Sequence, residues 1–124
     1  MEFREQQAIY VQIADYICEN ILLKKWLPND RILSIRELAV ELQVNPNTVT
    51  RAYDFLQSRD IIQNKRGIGY FVNEDAEHAI LVYRKEQFVQ HELPVLFRNM
   101  YLLNIEVEEL EMQFEKYKEE NFKK

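Results

Sequence analysis

Three amphipathic helical stretches, a hairpin that takes both of the chain's glycines, and two further apolar-rich helical stretches predict an α+β protein that is mostly α. The order of these elements spells an N-terminal winged helix-turn-helix over residues 1–74. A two-helix C-terminal hairpin over residues 75–124 follows and is expected to serve dimerisation.

Residues 1 to 8 are polar and expected to fray. From Ile9 the apolar positions Ile9, Ile13, Tyr16, Ile17 and Ile21 repeat at helical spacing, so a first helix is expected to reach Lys24 or Lys25. Pro28 cannot continue that helix, and Asn29 tolerates a left-handed turn. Ser34 with Glu37 three residues on reads as a capping box for a short helix through about Gln43, with Ile35, Leu38, Ala39 and Leu42 on its apolar side. Gln43 and Val44 make the turn.

The third helix, Pro46 to about Arg59, carries most of the information. Asn45 is a good N-cap, and Pro46 suits the first helical position, where a missing N–H costs nothing. Val49, Ala52, Tyr53 and Leu56 fall on one stripe. At ~100° per residue, Asn47, Arg51 and Ser58 lie opposite Val49, with Thr48, Thr50 and Asp54 on the flanks. The stripe anchors the helix, while the outward side shows amides, hydroxyls and a guanidinium. These are the groups that meet base edges and phosphates in a major groove. Arg36, on the exposed side early in the second helix, is placed for a phosphate or an adjacent base.

Ile61 and Ile62 are expected to form a short strand, Asn64, Lys65, Arg66 and Gly67 a turn, and Gly69 to Val72 the return strand. Both glycines, Gly67 and Gly69, fall in this hairpin with Lys65 and Arg66. The backbone there must bend sharply or approach another surface closely, as a wing on phosphate or in the minor groove would.

Beyond Asn73 a long helical stretch is expected from about Asp75 to Leu103, bent at Pro94, with Leu93, Phe97 and Met100 on its apolar side. Asn104 stands as its stop. Val107, Leu110, Phe114 and Tyr117 then repeat at spacings of three and four, the rhythm of a coiled-coil seam. About two heptads are too few for an isolated pair, so this helix is expected to pack on the preceding one. The surplus apolar surface argues for a homodimer through these seven residues.

Composition narrows the remaining choices. A chain of 124 residues, 47% hydrophobic and 30% charged, fits an ordinary soluble, cytoplasmic protein, without an apolar run of membrane length or a signal segment. The single Cys18 excludes an intrachain disulfide and reads as a small buried residue. The net charge is −5, yet residues 31–72 balance to +2 and those from Ala76 onward to −3. What phosphate feels is the local patch, and the overall charge predicts weak non-specific binding. His78 and His91 have no i, i+4 partner for a metal site, and no catalytic arrangement stands out. No enzyme, metal or cofactor is expected; an effector is left unspecified.

The run Ser34-Ile-Arg-Glu-Leu-Ala39, then Val44-Asn-Pro-Asn-Thr-Val-Thr-Arg-Ala-Tyr53, then Arg66-Gly-Ile-Gly-Tyr-Phe-Val72 resembles the DNA-binding domain of GntR-type bacterial transcription regulators. The short tail resembles their YtrA-like branch. The resemblance implies that Ser34 and Arg36 approach the DNA backbone and neighbouring bases, and that Asn45, Asn47 and Thr48 open the recognition helix. It also implies that Arg51 contacts DNA, that Lys65, Arg66 and Gly67 form the wing tip, and that the tail dimerises without a larger effector domain. Members of that branch often repress operons for membrane transporters. The chain departs from the family at Leu33, where proline is usual, and at Asn29, Gln43 and Asp60, where glycine is usual. Thr50 stands where many relatives carry a DNA-contacting arginine, and Arg51 is expected to compensate only in part. The expected function is a repressor-type regulator binding duplex DNA at a palindromic operator. The alternative is a winged-helix adaptor that uses Arg51, Lys65 and Arg66 on an acidic protein.

Overall fold

The computed structural model describes residues 7–122, so the expected fraying of the first residues lies largely outside them. In chain order the elements are α1 (Ile9–Leu22), α2 (Ile35–Leu42), α3 (Pro46–Ser58), β1 (Ile62–Lys65), β2 (Gly69–Val72) and α4 (Ala76–Gln87). A π-helical turn (Phe88–Glu92), α5 (Leu93–Leu103) and α6 (Val107–Asn121) complete the chain. Packing divides the chain into two units, residues 1–84 and 85–124.

The core of the first unit is drawn from every element before Tyr83. Ile13, Ala14, Ile17, Cys18 and Ile21 come from α1, Leu38 and Ala39 from α2, and Val49, Ala52, Tyr53 and Leu56 from α3. Ile61, Ile62 and Val72 come from the hairpin region, and Ala76 and Ile80 from α4. Each large apolar side chain withdrawn from water stabilises the unit by ~1.5–3 kcal/mol. Cys18 is fully buried, as a small apolar residue would be, and burial pushes its thiol up to about 12. The start of α4 packs into this core through Ala76 and Ile80.

Tyr53 does more than fill space. Its ring is fully buried against Tyr70 at a centroid distance of 4.7 Å, and its hydroxyl donates to the Leu33 carbonyl at 2.6 Å. One side chain thereby ties α3 to the wing and to the segment that leads into α2.

Helix ends follow local chemistry. At α2, the Ser34 Oγ accepts from the Glu37 N–H at 3.1 Å, and the Glu37 carboxylate accepts from the Ser34 N–H at 2.8 Å. Those contacts hold the Glu37 carboxyl below the usual carboxylate range, the Ser34 backbone N–H first and the Ser34 side chain second. Asn29, Gln43, Asp60 and Asn104 all take left-handed backbone, with φ of 69°, 56°, 61° and 57°. The first three are positions where the resemblance led us to expect glycine. α1 stops at Leu22, short of Lys24, because Lys24 itself turns left-handed at φ 65°.

Two expectations need correction. The first strand runs from Ile62 to Lys65, with Lys65 opposite Gly69, rather than ending at Ile62. Hydrophobicity marked only its buried end, whereas a backbone ladder continues through polar side chains such as Gln63 and Asn64. The stretch expected as one helix from about Asp75 to Leu103, bent at Pro94, is instead interrupted by the π turn just before that proline. Proline offers no N–H to the Gln90 carbonyl and would collide with it, and a widened turn removes both problems.

In the second unit, Met100 is the one buried apolar residue of α5, and α6 buries none of its residues. Phe97, Val107, Phe114 and Tyr117 are each more than half exposed, while Leu93 and Leu110 are half-buried. The expectation that the last helix packs on the preceding one is not met: α5 and α6 make at most slight contact, and the seam is left largely uncovered.

Two outcomes are expected. Tyr53→Phe should lower unfolding free energy by ~1–3 kcal/mol in urea melts, because it strands the Leu33 carbonyl; an unchanged midpoint would contradict the role given to that hydroxyl. Glu37 has a depressed folded-state pKa, so its contribution is present above the ordinary carboxylate range and lost as pH falls through the folded value. Urea midpoints across an acid pH series should therefore fall less steeply for Glu37→Gln than for the parent chain.

Candidate nucleic-acid interface

The buried stripe of α3 fixes which side of the helix faces out. With Val49, Ala52, Tyr53 and Leu56 in the core, Asn47, Arg51, Asp54 and Ser58 are exposed, and Thr48 and Thr50 are half-buried. Asn45 is exposed, but its side-chain oxygen is committed to capping and accepts from the Asn47 N–H at 2.8 Å. Thr50, which stands in the place of the family's arginine, turns its hydroxyl back to donate to the Pro46 carbonyl at 3.1 Å. That hydroxyl is spent on its own helix.

Arg51 is exposed and braced. Its guanidinium carbon sits 4.1 Å from the centre of the Tyr10 ring, a cation–π contact worth about 0.5–1 kcal/mol at an exposed site. Tyr10 in turn meets Phe55 edge-on at 6.4 Å. A shallow recess bounded by Ile9, Tyr10, Asn47, Thr48 and Arg51 joins the start of α1 to the outward side of α3. A second recess joins Arg36 and Val40 of α2 to Val44 and Pro46. The structure therefore places Arg36 at the border of one recess and Asn47, Thr48 and Arg51 at the border of the other, both beside the start of α3. Ser34 stands half-buried at the α2 cap.

The wing residues line neither recess. Lys65, Arg66 and Gly67 are exposed, with Ile68 closing the turn by its N–H to the Lys65 carbonyl at 2.8 Å. Gly67 occupies the third position of this turn with φ +78°, the left-handed value a type II turn demands. Nothing lies within 4 Å of a Cβ placed there, so conformation rather than space calls for glycine. At Gly69 a Cβ would sit 2.9 Å from the Arg31 Nε. The Lys65 ammonium rests 4.5 Å from the centre of the Phe71 ring, a diagonal cross-strand pair.

Sequence reasoning missed Tyr10 and Arg31. No local pattern along the chain pairs Tyr10 with Arg51. Among the described residues no cluster of three or more His, Cys, Asp or Glu is placed to hold a metal ion. No helix of the described residues is long and apolar enough to cross a membrane.

Residues 9–72 match the family model of bacterial regulatory proteins of the gntR family. The uncharacterised helix-turn-helix-type transcriptional regulator YhcF of Bacillus subtilis (strain 168) is 35% identical over 109 residues, which cover 88% of each chain. The helix-turn-helix-type transcriptional repressor YtrA of the same organism is 35% identical over 107 residues, 86% of this chain and 82% of YtrA. Among solved structures, a GntR-family protein of Bacteroides thetaiotaomicron superposes with a TM-score of 0.81 at 46% identity, over 91% of this chain and 98% of the other. A winged helix-turn-helix fold and a family model that matches more than half of the chain make this chain a member of the GntR family of bacterial transcriptional regulators, and not an enzyme.

Proposed function

We propose that this regulator is a repressor that binds a palindromic operator as a homodimer in the bacterial cytoplasm. The observation that carries the reading is the outward side of α3, where Asn47 and the Tyr10-braced Arg51 stand exposed opposite a fully buried stripe. In this reading Asn45, Asn47, Thr48 and Arg51 enter the major groove, while Ser34 and Arg36 meet the backbone beside it. Lys65, Arg66, Gly67 and Gly69 bring the wing to phosphate. Stacking on an aromatic ring holds the Arg51 fork in one orientation, which favours a bidentate contact to a base edge or phosphate.

Dimerisation is assigned to Leu93, Phe97, Met100, Val107, Leu110, Phe114 and Tyr117. The support is the set of apolar side chains left exposed on α5 and α6, Phe97, Val107, Phe114 and Tyr117 among them, with Met100 buried in its own chain. A second copy would cover it by a two-fold interface and present two reading helices about one helical turn apart, ~34 Å. Similarity to a protein named as a repressor, over most of both chains, supports the sign of regulation. No effector or cofactor enters this reading.

Selection of bound duplexes from a random library tests binding, symmetry and half-site spacing together. The expected result is an inverted repeat; failure to enrich any sequence would favour the adaptor reading. On the selected duplex, Arg51→Ala should cost ~1–3 kcal/mol, measured by fluorescence anisotropy. Lys65→Ala should weaken all duplexes alike and reduce the log–log salt slope by about 0.9. A loss confined to one sequence would contradict a phosphate role for Lys65. Sedimentation should give a dimer for the parent chain and a monomer for Phe114→Glu, with operator affinity falling in parallel.

A further inference from the structure

We infer that Arg31 and Lys65 form a two-pronged clamp for a DNA backbone phosphate, with Gly69 as the bare backbone between them. The inference rests on the duplex-binding reading above and adds to it a residue, Arg31, and a different role for Gly69.

The argument begins with an edge that the two-stranded wing does not use up. Residues 29–32 run along the free side of β2: the Asn29 N–H donates to the Val72 carbonyl at 2.8 Å and the Val72 N–H to the Asp30 carbonyl at 2.9 Å. The Ile32 N–H donates to the Tyr70 carbonyl at 2.9 Å. Arg31 thereby stands opposite Phe71 in an antiparallel bridge. Sheet geometry then settles which side chains share a face, because directly opposed residues point the same way and so do residues two apart on one strand. Lys65 is opposite Gly69, Gly69 is two residues from Phe71, and Phe71 is opposite Arg31. Lys65, Gly69, Phe71 and Arg31 are all on one face.

Gly69 lies beside the Arg31 side chain and opposite Lys65 in the register. Its φ of +143° is a conformation that side chains rarely adopt, and the Arg31 side chain crowds the place its Cβ would take. The Nε, Nη2 and Cζ atoms of Arg31 lie 2.9, 3.4 and 3.5 Å from that point. A Cβ at this position would press on the far end of the Arg31 side chain, which would have to shift from its place beside the strand. The second wing glycine therefore makes room for an arginine of the same chain, whereas the sequence had suggested room for an approaching surface. Lys65 is positioned from the other strand by the Phe71 ring.

Both prongs are exposed, and neither makes an ion pair with a carboxylate among the described residues. The Glu37 carboxylate feels the Arg31 charge, but its closest partner is the Ser34 N–H. Two like charges held on one face without a counter-ion repel, and an anion between them relieves that repulsion. A guanidinium fork beside an ammonium suits phosphate oxygens. Three residues after Arg31 comes Ser34, the cap of α2, so the same stretch of chain links the wing to the helix assigned to the backbone.

The test uses the full chain, a fluorescein-labelled mixed-sequence duplex and the selected duplex, with anisotropy followed across a KCl series. Arg31→Gln should lower the log–log slope by about 0.9 on both duplexes without changing the selected sequence. Gly69→Ala should produce the same slope loss although Arg31 is intact, and the double variant should lose no more than either single one. Thermal melts establish that each variant is folded; were Gly69→Ala to unfold the wing, Arg31→Gln alone decides. A parent-like slope for Arg31→Gln, or losses that add in the double variant, overturns the clamp while leaving duplex binding standing. Absence of parent binding to any duplex overturns both. Inorganic phosphate in place of DNA should leave the parent melting temperature unchanged; an Arg31-dependent rise would mean a free-phosphate site and overturn the backbone assignment.

Discussion

The phenol of Tyr53 is taken wholly out of water, and its one polar group is returned to the backbone carbonyl of Leu33 across twenty residues of chain. A buried hydroxyl without a partner is costly, so α3 can sit in only one rotation and one axial position against the segment before α2. The same ring packs edge-on against Tyr70 and so sets the hairpin relative to α3. Burial drives its pKa far above the ordinary phenol value, chiefly by desolvation, which keeps the hydroxyl protonated as a donor at any physiological pH. Orientation of the reading helix, the approach to α2 and the wing thus share one side chain.

Around that fixed frame, several cations rest on aromatic rings. Arg51 lies on Tyr10 and Lys65 on Phe71, while Arg59 approaches both Phe55 and Tyr83. An aromatic face orients a cation without cancelling its charge. A carboxylate would do both, and would have to be displaced by phosphate. In a chain of net charge −5 this distinction matters, because the local positive field must survive an acidic background. Residues 31–72 balance to +2, so the net acidity lies outside them and partly in the tail.

The second unit is organised by what it leaves open. Pro94 forces the preceding turn to widen, Asn104 ends α5 in a left-handed residue, and α6 then runs its apolar row with no buried member. Rows of this kind are ordinarily completed by another chain, and the first unit needs no such help because its core closes on itself.

The sequence by itself determined the features governed by residues a few positions apart. The Ser34–Glu37 box, the Asn45 cap before Pro46, the stripe through Val49, Ala52, Tyr53 and Leu56, and the left-handed stops at Asn29 and Asn104 all obey helical period or capping chemistry. Each is complete within about one turn of chain, so composition and spacing suffice. Only the tertiary structure decided that Tyr10 underlies Arg51, that Arg31 fills the space before Gly69, and that the first strand extends through Gln63 and Asn64 to Lys65. Those outcomes depend on where remote elements come to rest once the core has closed. A side chain's partner across such a gap is set by packing, and no periodicity along the chain encodes it.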